Sequence, residues 1–333
     1  MSENLFGDEK SNNPDIKVRI VALGGAGCQI LKRINSRLPK NIMKDAIDTS
    51  LSSLKNLSED IVKYEIATER YGGKGTDCDY YGLKEYLIED KMESQQIENG
   101  EKTDLIIFVS CLGYGSGSAL LPWVLTQLKD CVDQLGRKTI KIGFFIQPAI
   151  IANPDSLEII GDSLKSSKED LDSYLIVSND NLFSSFKGTL EDAFHKADSP
   201  LLEIINLIIE NNYNTINLDK ANILEFFRNA GQIHFGQGKS KEQNEIHRVV
   251  EDSFQDTFLR PLPINNPPHR ALCWINGPPI SASKHQEILE NISSRLSPSV
   301  DGKQGKVNIS INTINQRMLE VYLMLSSKQN KNF

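Results

Sequence analysis

The sequence predicts an α/β protein, with a doubly wound parallel sheet in its amino-terminal part, a long central helix, and a smaller α+β part behind it. Three observations carry that expectation. Apolar, β-branched runs alternate with stretches of helical periodicity through the first half of the chain, as parallel βαβ units require. Glycine-rich turns follow these runs, where an open parallel sheet places its ligand-binding loops. The stretch Leu190 to Glu210 then carries Phe194, Leu201, Ile204, Ile205, Ile208 and Ile209, a heavily apolar helix that separates the two parts. The expected boundaries are a flexible tail over 1–14, a first domain over 15–189, the central helix over 190–213, a second domain over 214–327 and a short end over 328–333.

Taken in order, Ile16 to Leu23 is a first strand, and Gly24-Gly25-Ala26-Gly27-Cys28-Gln29 leads into a helix with Ile30, Leu31, Ile34 and Leu38 on one face. Ala46 to Leu54 is expected as a second strand that turns into a helix through Asp48, Thr49 and Ser50. Tyr71 to Gly82 holds a further glycine-rich loop, in which Lys74 is a candidate phosphate contact. Leu105 to Val109 is a continuous apolar run, the pattern of a strand buried on both faces. It breaks at Gly113-Tyr114-Gly115-Ser116-Gly117-Ser118-Ala119 and resumes as an apolar helix, with Pro122 expected in the first turn.

A strand, a glycine turn and a helix opening on that turn make an anion site, because free backbone N–H groups and the helix dipole point at one place. Glycines let the backbone approach a ligand, and the hydroxyls of Ser116 and Ser118 can donate to phosphate oxygens. Thr139 to Ile146 is the next strand, ended by Gln147-Pro148, and 155–172 is helical. Tyr174 to Ser178 is a strand that ends at Asn179-Asp180. The second half offers a helix through Ile223 and Phe227, a strand from Gln232 to Phe235 closed by Gly236-Gln237-Gly238, and an acidic helix from Lys241 to Phe258. A proline-rich linker over 261–268, a strand from Ala271 to Asn276, a helix from Ser283 to Leu296 and strands at Lys306–Ile314 and Met318–Leu325 complete it.

Composition narrows the function classes. A formal net charge of −7 argues against a nucleic-acid backbone as partner. The five cysteines form no C-x-x-C pair and the five histidines are scattered, so neither zinc, another protein-held metal centre nor a disulfide framework is indicated. No apolar run approaches the length of a membrane span and no signal peptide is evident, so a cytoplasmic protein without direct membrane insertion is expected. The first glycine loop, with Gly25-x-Gly27 and Asp48 where a ribose-binding acid belongs, leaves an NAD-dependent enzyme open. Ile30 at the third glycine position departs from that pattern, and one NAD site does not require the second loop at 113–119.

From about Ile16 to Ser326 the loops, in this order, resemble the FtsZ/tubulin superfamily of filament-forming GTPases. Gly113 to Ala119 resembles the tubulin signature Gly-Gly-Gly-Thr-Gly-Thr/Ser-Gly, with Tyr114, Ser116 and Ala119 as departures. Gly24 to Gln29 is similar to the first nucleotide loop, and Ile47-Asp48-Thr49-Ser50 to the Val-Asn-Thr-Asp loop of FtsZ. Asp172 to Asp180 resembles the segment near the ribose, and Ala230 to Gly238 a further family motif.

The resemblance implies a Rossmann-like GTP-binding domain, GTP or GDP as cofactor with Mg2+, and a carboxy-terminal activation domain. The nucleotide-binding residues it implies are Gly24, Gly25, Ala26, Gly27, Gln29, Asp48, Gly113, Tyr114, Gly115, Ser116, Gly117, Ser118 and Asn179, with Phe194 and Asp198 on the guanine. It also implies a head-to-tail homopolymer, in which the loop after the central helix enters the next subunit's site. That loop's pattern, Asn-x-Asp-x-x-Asp, reads here Asn217-Leu218-Asp219-Lys220-Ala221-Asn222, so one acid is an amide.

An amide orients water but cannot accept its proton, and Lys220 weakens Asp219 as a base. Ser156 stands near the place of a phosphate-facing arginine, and Glu225 lies one turn beyond Asn222. Weakened hydrolysis is therefore expected. A left-handed backbone at Tyr114 would be strained, and its ring could fill the phosphate space instead. The family's long linker and membrane-tether peptide are not expected in the few residues after the last strand, so a true FtsZ or an adaptor is a further expected partner. A non-polymerising FtsZ-like regulator stays as an alternative.

Overall fold

The computed structural model describes residues 16–89, 97, 101–209, 220–242, 245–256, 268–297, 305–313 and 318–327. The tail over 1–14, Asn217, Asp219, the linker residues 261–267 and the end over 328–333 lie outside the described residues. Six strands form the first half of the sheet: β1 (Val18–Leu23), β2 (Met43–Asp48), β3 (Val62–Glu65), β4 (Leu105–Cys111), β5 (Ile140–Gln147) and β6 (Ser173–Ser178). All run parallel, in the order β3-β2-β1-β4-β5-β6. That order reverses direction between β1 and β4, and ligands of such sheets bind outside the carboxyl ends at the reversal.

Helices cover both faces. On one lie α1 (Gly24–Ile34) and α8 (Leu190–Ile209), packed on Ile20, Ile107, Val109 and Phe144; between them in sequence come α2 (Leu51–Lys55) and α3 (Thr68–Tyr71). On the other lie α4 (Tyr80–Glu89), α5 (Gly115–Gln127) and α6 (Ser156–Ser167), packed on Val21, Ile106, Phe108 and Phe145. The short α7 (Asn179–Ser185) follows β6 directly. β4 and β5 are buried along their whole length, which is why they read as unbroken apolar runs. By contrast β3 is an exposed edge strand, Val-Lys-Tyr-Glu, whose polar surface hid it from the sequence pattern.

After α9 (Lys220–Phe227) the sheet continues through β7 (Gly231–Ser240), which pairs parallel with β6. Then β10 (Leu319–Ser327) pairs antiparallel with β7 and with β8 (Pro268–Gly277), and β9 (Lys306–Thr313) pairs parallel with β8. A separate core forms where α10 (Ile246–Gln255) and α11 (Ala282–Ser294) cover this mixed part. No helix among the described residues is long and apolar enough to cross a membrane.

Two expectations are corrected by the local geometry. Gly236 and Gly238 do not close a strand but sit inside β7, because a Cβ on Gly238 would lie 1.9 Å from the Val249 carbonyl of α10. Pro122 is interior to α5, because the helix already begins at Gly115. Its missing N–H leaves the Ser118 carbonyl without a helical partner, and the Ser163 hydroxyl of α6 donates to that oxygen at 2.8 Å. In α8 the same device recurs: Pro200 frees the Lys196 carbonyl, and the Ser199 hydroxyl donates to it at 2.8 Å.

One buried cation stands out at the amino end of β5. Lys141 shows no exposed surface, and its Nζ has no hydrogen-bond partner. It sits in register with Ile106, which is flanked on its other side by Arg19, itself paired with Asp45. Burial, followed by Lys138, pushes the Lys141 ammonium below its ordinary value of 10.5. The folded chain therefore holds its proton less tightly than the unfolded chain, so this group makes stability rise with pH up to about 10.5. Replacing Lys141 by Met should raise the unfolding free energy at neutral pH by about 1–3 kcal/mol and flatten the rise. Urea denaturation at a series of pH values checks both; a variant no more stable than the parent would show that the ammonium is well solvated in place.

Candidate functional site

The loops that leave the carboxyl ends of β1 and β4 meet at the reversal of strand order. Gly24 opens α1 in the left-handed region, at φ +70°, and a Cβ placed there would lie 2.7 Å from the Gly117 amide nitrogen of α5. The two helix starts are thus in van der Waals contact through glycine. Neither has a side-chain cap: Leu23 precedes α1 and Tyr114 precedes α5, and no side chain of either accepts from the first turn. Uncapped amides of two helices, with both dipoles positive there, form one anion-binding concavity.

Close packing fixes the rest of the cradle. A Cβ on Gly27 would meet the Val109 carbonyl at 2.4 Å, so α1 lies hard against β4. Substitution at Gly115 would meet Thr76 Oγ1 at 2.2 Å, which docks the loop over 73–79 beside α5. Ser116 Oγ lies 2.9 Å from Thr49 Oγ1 and 3.3 Å from Thr76 Oγ1, so hydroxyls from three loops meet. The Gly113 N–H donates to Ser118 Oγ at 2.9 Å, and Asn153 Nδ2 donates to the Gly113 carbonyl at 2.5 Å. Ser118 is fully buried and fastens the turn from beneath, whereas Ser116 is half-buried.

Tyr114 is free of left-handed strain. Its φ of −120° is extended backbone, and the left-handed residue of the turn is Gly113 at φ +106°. The Tyr114 ring is half-buried and packs against the core cluster of α1 and α8. Gly25 is half-exposed while Ala26 and Gln29 are exposed, so the outer face of the α1 start is open.

Two buried acceptor atoms at the carboxyl ends of β2 and β6 have no hydrogen-bond partner. Asp48 Oδ1 accepts the Thr49 N–H at 2.8 Å, but its Oδ2 has no hydrogen-bond partner and lies 3.6 Å from a Cβ built on Gly25. Burial pushes the Asp48 carboxyl above its ordinary range, and the Thr49 amide opposes that shift. Asn179 Oδ1, at the start of α7, is likewise buried and without a hydrogen-bond partner. Farther along, Phe194 and Asp198 of α8 come together with Arg33 of α1. Arg33 Nε and Nη2 donate to the two Asp198 oxygens at 2.6 and 3.1 Å, and the guanidinium carbon lies 5.3 Å from the Phe194 ring centre.

The structure therefore gathers the candidates from the loops at 24–29, 48–50 and 113–118, places Asn179 at the carboxyl end of β6, and sets Phe194 and Asp198 beside α1. Asn222 is half-exposed on α9, and no hydrogen bond or ion pair among the described residues joins it to this group. Lys74 is exposed on the loop that pairs with Ser50. Sequence reasoning passed over Arg33, Thr76 and Asn153. Arg33 stands four residues after Gln29 on the same helix, the one periodic signal that could have placed it. Among the described residues no group of three His, Cys, Asp or Glu side chains could hold a metal ion.

Comparison with known proteins agrees with this architecture. Residues 17–187 match the Tubulin/FtsZ family, GTPase domain. The cell division protein FtsZ of Aquifex aeolicus is 23% identical over 297 residues, covering 88% of this chain and 78% of that protein. The FtsZ dimer of M. jannaschii superposes with a TM-score of 0.74 at 20% identity, covering 97% of this chain and 94% of that one. CetZ2 from Haloferax volcanii, in a GTPγS-bound protofilament, gives a TM-score of 0.74 at 17% identity, with 95% of each chain covered.

The contact between the two helix starts can be measured. Gly24→Ala and Gly72→Ala both place a side chain in the left-handed region, which costs about 1–2 kcal/mol, but a Cβ at Gly72 meets nothing within 4 Å. Gly24→Ala should therefore lose clearly more stability in urea denaturation than Gly72→Ala. Equal losses would mean that the two glycine turns do not need their close approach.

Proposed function

The chain belongs to the tubulin/FtsZ family, and from that premise we propose that it binds GTP and GDP, assembles head to tail with its own copies, and hydrolyses GTP slowly. The observation that carries this reading is the cradle at Gly24 and Gly117, where two uncapped helix starts share one concavity at the reversal of strand order. Phosphate oxygens fit free amides and positive dipole ends, and Ser116 and Thr49 add hydroxyl donors. The orphaned acceptors Asp48 Oδ2 and Asn179 Oδ1 fit the N–H and O–H donors of a nucleoside. A Mg2+ ion would ride chiefly on the nucleotide's phosphates and water, as this small cation prefers.

Assembly is supported by where the chain places α9. The Asn229 and Gly231 amides, just after α9, donate to Asp172 Oδ1 and the Asp172 carbonyl, which stand before the amino end of β6. The cradle lies at the carboxyl ends of the same sheet. Asn222, and with it Asn217 and Asp219, would then serve a nucleotide of the neighbouring subunit. The GTPγS-bound protofilament of CetZ2, which shares the fold, is a precedent for assembly. The first domain over 15–189 would carry the nucleotide, 190–213 the connecting helix, and 214–327 the catalytic contribution.

Hydrolysis would be slow because Asn222 replaces an acid: it can hold a water but cannot take its proton. Positioned general-base assistance is worth about 10²–10⁴ in rate. A guanine nucleotide should remain with the purified protein and be identifiable by chromatography, and filaments should form with GTP in electron microscopy. Asn222→Asp should raise phosphate release per subunit about 100-fold at unchanged nucleotide affinity. Fast, assembly-dependent release by the unaltered protein would falsify the slow-turnover reading. Nucleotide binding without sedimentable polymer would favour a regulator that caps a true FtsZ.

A further inference from the structure

We propose that the cleft between α6 and the junction of β6 with β7 binds a small amphipathic carboxylate, of the class of a medium-chain fatty acid, at a site separate from the nucleotide cradle. Its walls are Ile160, Leu164, Leu171, Ile176 and the Tyr174 ring, and it encloses about 200 Å³. Pockets for drug-sized ligands run from about 300 to 1,000 Å³, so this one suits a single short acyl chain. The central helix α8 packs on the opposite face of the sheet and lines none of it.

The cleft exists because two parts of the fold leave the sheet uncovered between them. Tyr174 and Gln232 are directly paired in the β6–β7 ladder, and both line it. That ladder spans three residue pairs, against seven between β4 and β5, so few backbone hydrogen bonds hold this seam. Alternation along β7 puts Gln232 and Gly238 on one face, and Gly238 packs against Val249 of α10. On that face α10 covers one side and α6 the other, with the cleft in between. Gly161, in the interior of α6, widens it. Glycine is the poorest helix former after proline, and a Cβ there would meet nothing within 4 Å, so packing does not explain its presence.

Charge selects the occupant. Lys165, exposed, and Lys168, half-exposed, flank the cleft, and no carboxylate lines it. Asp162 and Asp170, their near neighbours in the chain, already pair with Lys84 and Lys138, and neither Lys165 nor Lys168 forms an ion pair among the described residues. Cations at the carboxyl end of α6 suit its dipole, but the dipole does not call for apolar walls beside them. An anion on an apolar chain answers both: its oxygens accept from the ammonium groups, and the Gln232 amide and Tyr174 hydroxyl offer further donors. Inorganic phosphate has the charge without the apolar body. An amphipathic helix would bring anchors spaced over two turns, more than this volume receives.

Calorimetric titration of the unaltered chain with sodium octanoate should show one saturable site with a dissociation constant of about 0.1–1 mM. Each buried methylene contributes about 4-fold in affinity, so hexanoate should bind about 16-fold more weakly. Octanol, and octylammonium still more, should bind about 10-fold or more weakly, because the two ammonium groups then have no anion to meet. Gly161→Leu fills the cleft from its own wall and should abolish octanoate binding. It should unfold at no lower urea concentration than the parent, since leucine is the better helix former. Lys165→Gln combined with Lys168→Gln should weaken octanoate about 10-fold and leave octanol unchanged. Octanoate binding that survives Gly161→Leu or the double lysine substitution would overturn the proposal. So would octanol or octylammonium binding as tightly as octanoate, or no saturation by octanoate below about 10 mM. No nucleotide enters the measurement, so its outcome is independent of the guanine-nucleotide reading.

Discussion

The close approach of Gly24 to Gly117 is the constraint on which the rest of this architecture depends. A parallel sheet whose order reverses between β1 and β4 brings two loops to the same place, but ordinary residues would hold them apart. Without side chains at both positions the starts of α1 and α5 touch, and their free amides face a shared space. Gly27 against the Val109 carbonyl and Gly117 against Ser110 Oγ, where a Cβ would sit at 2.3 Å, extend the same logic inward. The glycines therefore serve two purposes at once: they let helices pack on strands, and they leave backbone donors open. A dinucleotide fingerprint needs only the first loop; the contact between the two loops is what a tubulin-like cradle adds.

Much of this was legible in the sequence because it is local. The unbroken apolar runs of β4 and β5 follow from burial on both faces, and the glycine turns stand directly after β1 and β4. What escaped was either polar or distant. β3 is an exposed edge with no apolar alternation, so nothing in Val-Lys-Tyr-Glu announces it. Glycine in β7 reads as a strand end until the packing of α10 against it is known. The start of α5 was misplaced because glycine is a poor helix former, and here tertiary contact overrides that preference. The pair of Arg33 with Asp198 joins residues 165 apart, and no local pattern encodes it.

Polar groups inside the fold show the same division between satisfied and reserved. Where prolines at 122 and 200 free a helical carbonyl, a serine hydroxyl takes the place of the lost N–H. Asp172 accepts from the Lys141 and Asn229 amides and so ties β5 to the turn before β7. At these places the fold supplies the partner that the backbone lacks. Asp48 Oδ2, beside Gly25, and Asn179 Oδ1, at the carboxyl end of β6, have no such partner, and on the proposed reading a bound nucleoside would complete them. Lys141 is a different case, since it lies at the amino end of β5, opposite the end that carries the cradle, and its cost is borne by the fold.

The placement of α8 explains why binding and turnover can part company in such a chain. Asp198 and Phe194 occupy its first half, and its 20 residues extend about 30 Å, toward the end of the sheet where α9 is tied to Asp172. A nucleotide in the cradle would therefore be held by residues that precede the helix's end, whereas Asn222 follows it. On the proposed reading, substitutions near Asn222 would act on the water of a neighbour's nucleotide without touching the cradle that binds its own. Loss of an acid there would lower the rate of hydrolysis and leave the Gly24 and Gly117 contact, the Ser116 hydroxyl network and the pair of Arg33 with Asp198 as they are. A filament built from such subunits would keep its bound nucleotide longer, because assembly would still complete the site while supplying a weaker catalyst.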